Sequence, residues 1–323
     1  MIYFIVIILL LAFELLYLRL ASRRDALIVP DWSEVTSDKG DFITVRGGGV
    51  VFWIASLMLL IFIPNEFNIW FFIAITIVAA ISMFDDVKRV SVWTQLLFHI
   101  VAVSIAFYIA ELFVVITWWN LLFAYILFIG VVYSFKPMDD VNGMTWLYTM
   151  AALLPMVYVN QYIESFIHID YLLFPIIAAF ILVVFNLSRD AATTAGSVGS
   201  LTIGFWVSFL LLMLIIESGS IIWLSFVRVY LVDEVLTTVQ KIYQRKAVFG
   251  PETLHMYQLL GNKIRVDHRL VSSIYFLMQL FCSALVIFLY PTLGVSIFWI
   301  LLVVLLSLYL FKFKVVRVVK QLN

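Results

Sequence analysis

The chain has 323 residues, 65% of them hydrophobic and only 12% charged, with a mean hydropathy of +1.11 and a formal net charge of zero. Such a composition excludes an ordinary water-soluble enzyme and offers no basic surplus for nucleic acid. The single cysteine, Cys282, lies in an apolar run, so no disulfide forms within the chain and core packing is its expected role.

Apolar runs near the ~20 residues needed to cross the hydrocarbon core recur from end to end. They predict helices over 1–20, 48–63, 67–84, 92–110, 119–135, 144–160, 171–187, 199–216, 219–238, 270–289 and 292–311. The expectation is an all-α polytopic membrane protein with about eleven transmembrane helices, forming one domain over 1–323. Residues 1–20 lack a basic leading segment and a small-residue cleavage site, and Glu14 interrupts them, so this helix is expected to stay. No short repeat or low-complexity segment is evident.

Lys and Arg fall on alternate loops. Arg19, Arg23, Arg24, Lys39 and Arg46 follow the first run, Lys88 and Arg89 the third, Lys136 the fifth and Arg189 the seventh. Lys241, Arg245, Lys246, Lys263, Arg265 and Arg269 follow the ninth, and Lys312, Lys314, Arg317 and Lys320 the last. The intervening loops near 64–67, 117–120, 160–170, 217–219 and 290–292 carry neither residue. The positive-inside rule then places the N-terminus outside and the C-terminus and basic loops in the cytoplasm, as in a multi-pass protein of the cytoplasmic membrane.

The chemistry-bearing residues sit on those basic loops. The first ends in Arg46-Gly47-Gly48-Gly49, where backbone N–H groups and a guanidinium suit a phosphate, although glycines also permit close helix packing. The second carries Asp85 and Asp86 ahead of Lys88 and Arg89: a divalent-cation or proton site, or a cap for the next helix. The third packs Asp139, Asp140 and Asn142 before a helix, which is crowded for a simple cap. The fourth runs from Asn186 to Ser200, with Gly196 and Gly199 flanking Ser197 as an anion-binding nest or a serine-capped turn. The fifth, 239–269, holds Glu252, His255, Tyr257, Gln258, Asp267 and His268. His255 is a natural phosphate partner, while His268, His99 and His168 read as structural. Arg228 and the Asp233-Glu234 pair lie within the ninth run, so Arg228 needs an acidic or carbonyl partner, Asp233 being one within reach.

In this order the five loops resemble the polyprenyl-phosphate N-acetylhexosamine-1-phosphate transferases of glycosyltransferase family 4. Arg46-Gly47-Gly48-Gly49 matches the family's RGGG, and Asp85-Asp86 with Ser91 its DDxxxxS loop. Met138-Asp139 with Val141 to Thr145 looks like its MDGINGIT, and Asn186 to Ser200 like the stretch ending in AGDVGS. Val229-Tyr230 with Val232-Asp233 resembles VYGVDS, and His255 to Gln258 the end of HRKHLYQ. The resemblance implies transfer of a sugar-1-phosphate from a UDP-N-acetylhexosamine to undecaprenyl phosphate on the cytoplasmic face, for cell-envelope polysaccharide synthesis. It implies Asp85, Asp86 and Asp139 as catalytic residues, Arg46, Gly48, Asn142, Asn186, Gly196 and His255 as substrate contacts, and Mg²⁺ held by Asp85, Asp86 and Asp139, with Asp140, which the family pattern lacks, as a further candidate ligand. Membrane lipids are further expected partners, with a homo-oligomer allowed and no nucleic acid.

Departures fall on the same elements. Ser197 stands where the family has an Asp expected to hold Mg²⁺, and Ala192 where it has a Lys. Lys136-Pro137 replaces Asn-Phe, Asp140 a Gly, Glu252-Thr253-Leu254 a His-Arg-Lys, and Gly40 a first-loop His. The third loop thus gains one carboxylate and one cation where the fourth loses one of each. An active transferase with Asp139 and Asp140 jointly replacing the missing carboxylate is one reading. A catalytically degenerate relative that binds lipid phosphate or a partner is the other, and an ion-coupled transporter explains the one-sided acidic loops less well.

Overall fold

A computed structural model describes residues 1–24, 27–29, 44–64, 68–187, 191–245 and 255–312, with only the backbone described at Ile28 and Val29. Lys39, Gly40, Arg189, Lys246, Glu252, Thr253, Leu254, Lys314, Arg317 and Lys320 lie outside the described residues.

The helices are α1 (Ile2–Ala21), α2 (Val51–Phe62), α3 (Ile69–Val87), α4 (Val92–Ile109), α5 (Leu112–Val115), α6 (Trp118–Ser134) and α7 (Met144–Tyr162). They continue with α8 (Asp170–Asn186), α9 (Gly196–Ser218), α10 (Arg228–Tyr243), α11 (Met256–Gln258), α12 (His268–Leu293) and α13 (Ser296–Tyr309). Short 3₁₀ segments, Gly48–Val50, Lys136–Asp140 and Ile221–Val227, lead into or out of them. The β pairings among the described residues are a two-residue antiparallel ribbon, Ile28↔Val45 and Val29↔Thr44, and a single parallel bridge, Val45↔Thr193.

The protein is an all-α membrane protein. Each apolar run expected from the sequence lies on a helical element, and six are long and apolar enough to cross a membrane: α1, α3, α4, α6 with its following turn, α9 and α12. The shorter apolar helices Gly48–Phe62, α8 and α13 fall below that length. Helices α7 and α10 hold buried polar groups, among them Thr145, Thr149 and Asn160 on α7 and Arg228 and Asp233 on α10. Prolines inside α7, α8 and α12 are tolerated because neighbouring helices and side chains take up the freed backbone groups.

Helix α9 is the axis of the bundle. Its apolar window is 78% buried against 22% for α1, so α9 is packed by protein all round while α1 shows most of its surface outward. Phe71 of α3 stacks among Phe209 (centroids 4.7 Å apart) and Trp206 (5.4 Å) of α9, with Tyr171 of α8 beside them (5.4 Å). Large apolar side chains such as Phe4, Trp93, Phe123, Phe180, Leu277 and Phe281 point away from the core, forming an apolar exterior. Cys282 is buried in this core, as expected.

Arg228 is satisfied within the bundle by groups other than Asp233. Its guanidinium donates to the Phe298 carbonyl (3.1 Å) and to Ser225 Oγ, and lies 4.1 Å from the centre of the Phe298 ring. Asp233 instead accepts from the Met256 N–H (3.0 Å), Thr237 Oγ1 (3.2 Å) and Tyr275 Oη (3.3 Å), with Lys312 Nζ 3.9 Å away. A carbonyl at hydrogen-bond distance supplies a neutral partner for Arg228, so the two buried charges do not need each other.

Candidate active site

The glycine run meets the fourth loop backbone to backbone. Val45 N–H donates to Ala192 O (3.0 Å) and Thr194 N–H to Val45 O (2.9 Å). Gly48 N–H reaches Thr194 O (3.0 Å) and Thr193 Oγ1 (3.2 Å), and Gly49 N–H reaches Ala195 O (3.2 Å). A side chain at Gly49 would overlap the Cα of Gly199, so these two glycines exist for close approach. The packing reading of the glycine run is therefore met at Gly49. Arg46 sits at the edge, its carbonyl held by Tyr17 Oη (2.8 Å), and its charge acts on both Asp86 and Asp140.

Helix α9 begins at Gly196 with a positive φ of 67°, and its first N–H groups have no partner inside the helix. Two other segments supply the acceptors. Asp139 takes the N–H groups of Ala195 (2.6 Å) and Gly196 (2.9 Å), one on each oxygen. Asp86, in the last turn of α3, takes those of Ser197 (2.8 Å) and Val198 (2.9 Å). Carboxylates favour a helix N-terminus, and here two of them complete the cap that Ser197 does not make. The nest expected around Gly196 and Ser197 is thus occupied by the chain's own side chains.

Asp85 faces a different set. One oxygen accepts the Val90 N–H (3.0 Å), shaping the turn into α4; the other accepts Ser197 Oγ (2.9 Å) and Lys136 Nζ (2.9 Å). Lys136 also donates to Gln95 Oε1 (3.1 Å). Asp140 points elsewhere, accepting from Gln258 Nε2 (2.6 Å). Asp139 and Asp140 therefore diverge, and their geometry does not make a joint substitute for the carboxylate missing at Ser197. Buried Asn186 bridges the third and fourth loops, accepting the Gly143 N–H (2.6 Å) and donating to Thr193 O (2.6 Å). The Asn142 N–H donates to Nδ1 of His268 (3.2 Å), which brings into the cluster a histidine expected to lie apart from it.

His255 joins the cluster indirectly. Its N–H donates to Gln258 Oε1 (3.2 Å), the residue that also holds Asp140, and its Nε2 lies 3.6 Å from Glu234 Oε2. Burial, with the charges of Lys312 and Lys241, pushes its pKa down to about 3, so the imidazole is neutral at physiological pH.

Some participants were not among the site residues expected from the sequence: Gln95, Thr193 and Tyr17, together with Glu14 as a neighbour of the site. Gln95 is polar in an apolar helix one turn from its start, which is the signal that was available. Glu14 is fully buried, and a Cβ on Gly48 would lie 2.6 Å from its Oε1, so it underlies the glycine run.

These donors do not fit Mg²⁺. The ion demands near-octahedral oxygen ligands at ~2.0–2.1 Å. Both oxygens of Asp85, Asp86 and Asp139 and one of Asp140 already accept hydrogen bonds from protein donors. Among the described residues no three His, Cys, Asp or Glu side chains gather closely enough to hold a metal ion.

A family model described as glycosyl transferase family 4 matches residues 68–215. That stretch contains Asp85, Asp86, Asp139, Asp140, Asn142, Asn186, Gly196 and Ser197, and excludes Arg46 to Gly49 and everything from His255 onward. No curated protein matches the chain. Because the matched segment holds the second, third and fourth site loops, it supports the membership of this chain in glycosyltransferase family 4.

Proposed function

We propose that this protein transfers a sugar-1-phosphate from a UDP-N-acetylhexosamine to undecaprenyl phosphate at the cytoplasmic face of the cytoplasmic membrane. The observation that carries the reading is the convergence of five loops on one end of the bundle. Arg46, the Asp85-Asp86 pair, Lys136 to Asn142, Asn186 with Gly196 and Ser197, and Gln258 with His268 are joined there by hydrogen bonds or charge. The concentration of Lys and Arg on the loops at that end supports a cytoplasmic orientation, where nucleotide sugars are made.

In the reaction an oxygen of the lipid phosphate attacks the β-phosphorus of the UDP-sugar. A new P–O bond forms, the bond from that phosphorus to the bridging oxygen breaks, and UMP leaves with the electron pair. The protein's tasks are positioning and charge stabilisation. Arg46 presents a planar guanidinium suited to a phosphate, and the half-exposed ammonium of Lys136 a second positive charge. Asn186 and the aspartates fix the loops that carry these cations. An apolar groove of about 690 Å³ between α10 and α13, lined by Leu236, Val239, Tyr243, Val303, Leu306 and Leu310, has the character an isoprenoid chain requires.

A second reading, a non-catalytic binder of lipid phosphate, is favoured by the engagement of the carboxylates with backbone N–H groups. Purified protein incubated with undecaprenyl phosphate and a panel of UDP-N-acetylhexosamines separates the two. The transferase reading expects a lipid-linked pyrophosphoryl sugar by mass spectrometry. Binding of the lipid without product across the panel supports the binder.

A further inference from the structure

We propose that the ammonium of Lys136 takes the electrostatic place of a divalent cation, so that this acidic end of the bundle is assembled and neutralised without Mg²⁺. The inference rests on the transferase reading for its functional meaning, but its geometry stands by itself.

The argument begins with Asp85. Its Oδ2 receives two side-chain donors, Lys136 Nζ and Ser197 Oγ, both at 2.9 Å. Lys136 is fixed from a second side by Gln95 Oε1 at 3.1 Å, and Gln95 is itself anchored by donating to Val90 O at 3.1 Å. The lysine side chain is 35% exposed and that of Asp85 12%, so the charge lies at the mouth of the cluster, between the carboxylates and the outside. A dication reaching Asp85 would have to displace this ammonium, or sit beside it against strong repulsion at low dielectric.

The sequence contains the same exchange. Relative to the family pattern, the third loop gains a cation at Lys136 and the fourth loses a carboxylate at Ser197. The structure brings these two positions onto one oxygen atom. An aspartate at 197 would set a second anion against Asp85, which a dication balances; a hydroxyl beside an ammonium needs no such balance. Lys136 therefore pairs with the change at Ser197, the residue it meets on Asp85.

The test is a titration of the full-length protein in detergent with Mn²⁺, the spectroscopic surrogate for Mg²⁺, followed by the electron paramagnetic resonance signal of the free ion. Wild type is expected to leave that signal unchanged, and K136N/S197D, which removes the ammonium and restores the carboxylate, to gain at least about tenfold in Mn²⁺ affinity. K136R keeps the charge and is expected to behave as wild type. The thermal unfolding midpoint gives a second readout: indifferent to EDTA and Mg²⁺ in wild type, raised by Mg²⁺ in K136N/S197D. Stoichiometric Mn²⁺ binding by wild type that D85N abolishes overturns the proposal. So does a monodisperse K136N/S197D protein with no gain in metal affinity. Failure of the transferase reading appears separately, as absence of product with any donor while the Mn²⁺ results hold.

Discussion

At the ends of α3 and α6, aspartates reach out of their own segments to bind the backbone of another, whereas on α10 the buried Arg228 and Asp233 are satisfied by groups that merely pack against them. Both regions obey the rule that buried charge must be hydrogen-bonded. They differ in what the bonds accomplish. Asp86 and Asp139 each hold two N–H groups at the start of α9, so the ends of three helical segments become one unit that leaves Arg46 and Lys136 at its mouth. Arg228 and Asp233 fasten α10 to α13, α12 and α11. The first arrangement ties loop ends together beside two cations; the second closes the bundle.

The sharpest way to break this contrast is to remove a bidentate acceptor. D139A or D86A orphans two buried N–H groups, an expected loss of about 2–6 kcal/mol in stability. Chemical unfolding in detergent micelles measures it, and a loss under 1 kcal/mol in both variants would remove the capping role. R228M, by contrast, should lower stability by about 1–3 kcal/mol yet leave the site loops intact. Unchanged protease resistance of the 186–198 segment in R228M, but not in D139A, checks that separation.

Closer to the site, G49A forces a side chain into the contact with Gly199 and should cost about 1–3 kcal/mol by overpacking. A neutral or stabilising result on thermal unfolding would mean that the Gly48–Val50 segment and α9 are not in backbone contact. S197A removes one donor to Asp85 while Lys136 and the Val90 N–H remain, so only about 0.5–1.5 kcal/mol is expected.

An effect absent at neutral pH is the pH dependence at His255, which faces Glu234, Lys241 and Lys312. Its pKa falls from 6.5 in the unfolded chain to about 3 in the fold. The unfolded state then binds more protons between those values, so stability is complete above pH 6.5 and is lost as pH falls toward 3. In H255Q the acid-side loss should be shallower; an identical profile would show that other groups govern it.

Much of the helical architecture was legible in the sequence because hydrophobic runs of membrane length are a strong one-dimensional signal. The resemblance likewise located the aspartates. Their partners were not legible. That Asp139 caps α9 from 56 positions away, or that Lys136 and Ser197 meet on one oxygen of Asp85, depends on how loops fold over helix ends. Arg228 illustrates the same limit: an acidic or carbonyl partner was expected, but that it is the Phe298 carbonyl on α13 depends on how the helices pack. His268 was expected to be incidental because its partner, the Asn142 N–H, belongs to a segment 126 positions distant.

The central claim is that the loops gathered around α9 form a working phosphosugar-transfer site, distinct in kind from the charges on α10. Its most direct test is UMP release from UDP-N-acetylhexosamines in the presence of undecaprenyl phosphate, measured on wild type, D139N and R228M matched for monodispersity. The account predicts turnover by wild type, a loss of at least about 100-fold in D139N and a retained rate in R228M. No UMP release by folded wild type across the donor panel, or D139N turning over as fast as wild type, would contradict it.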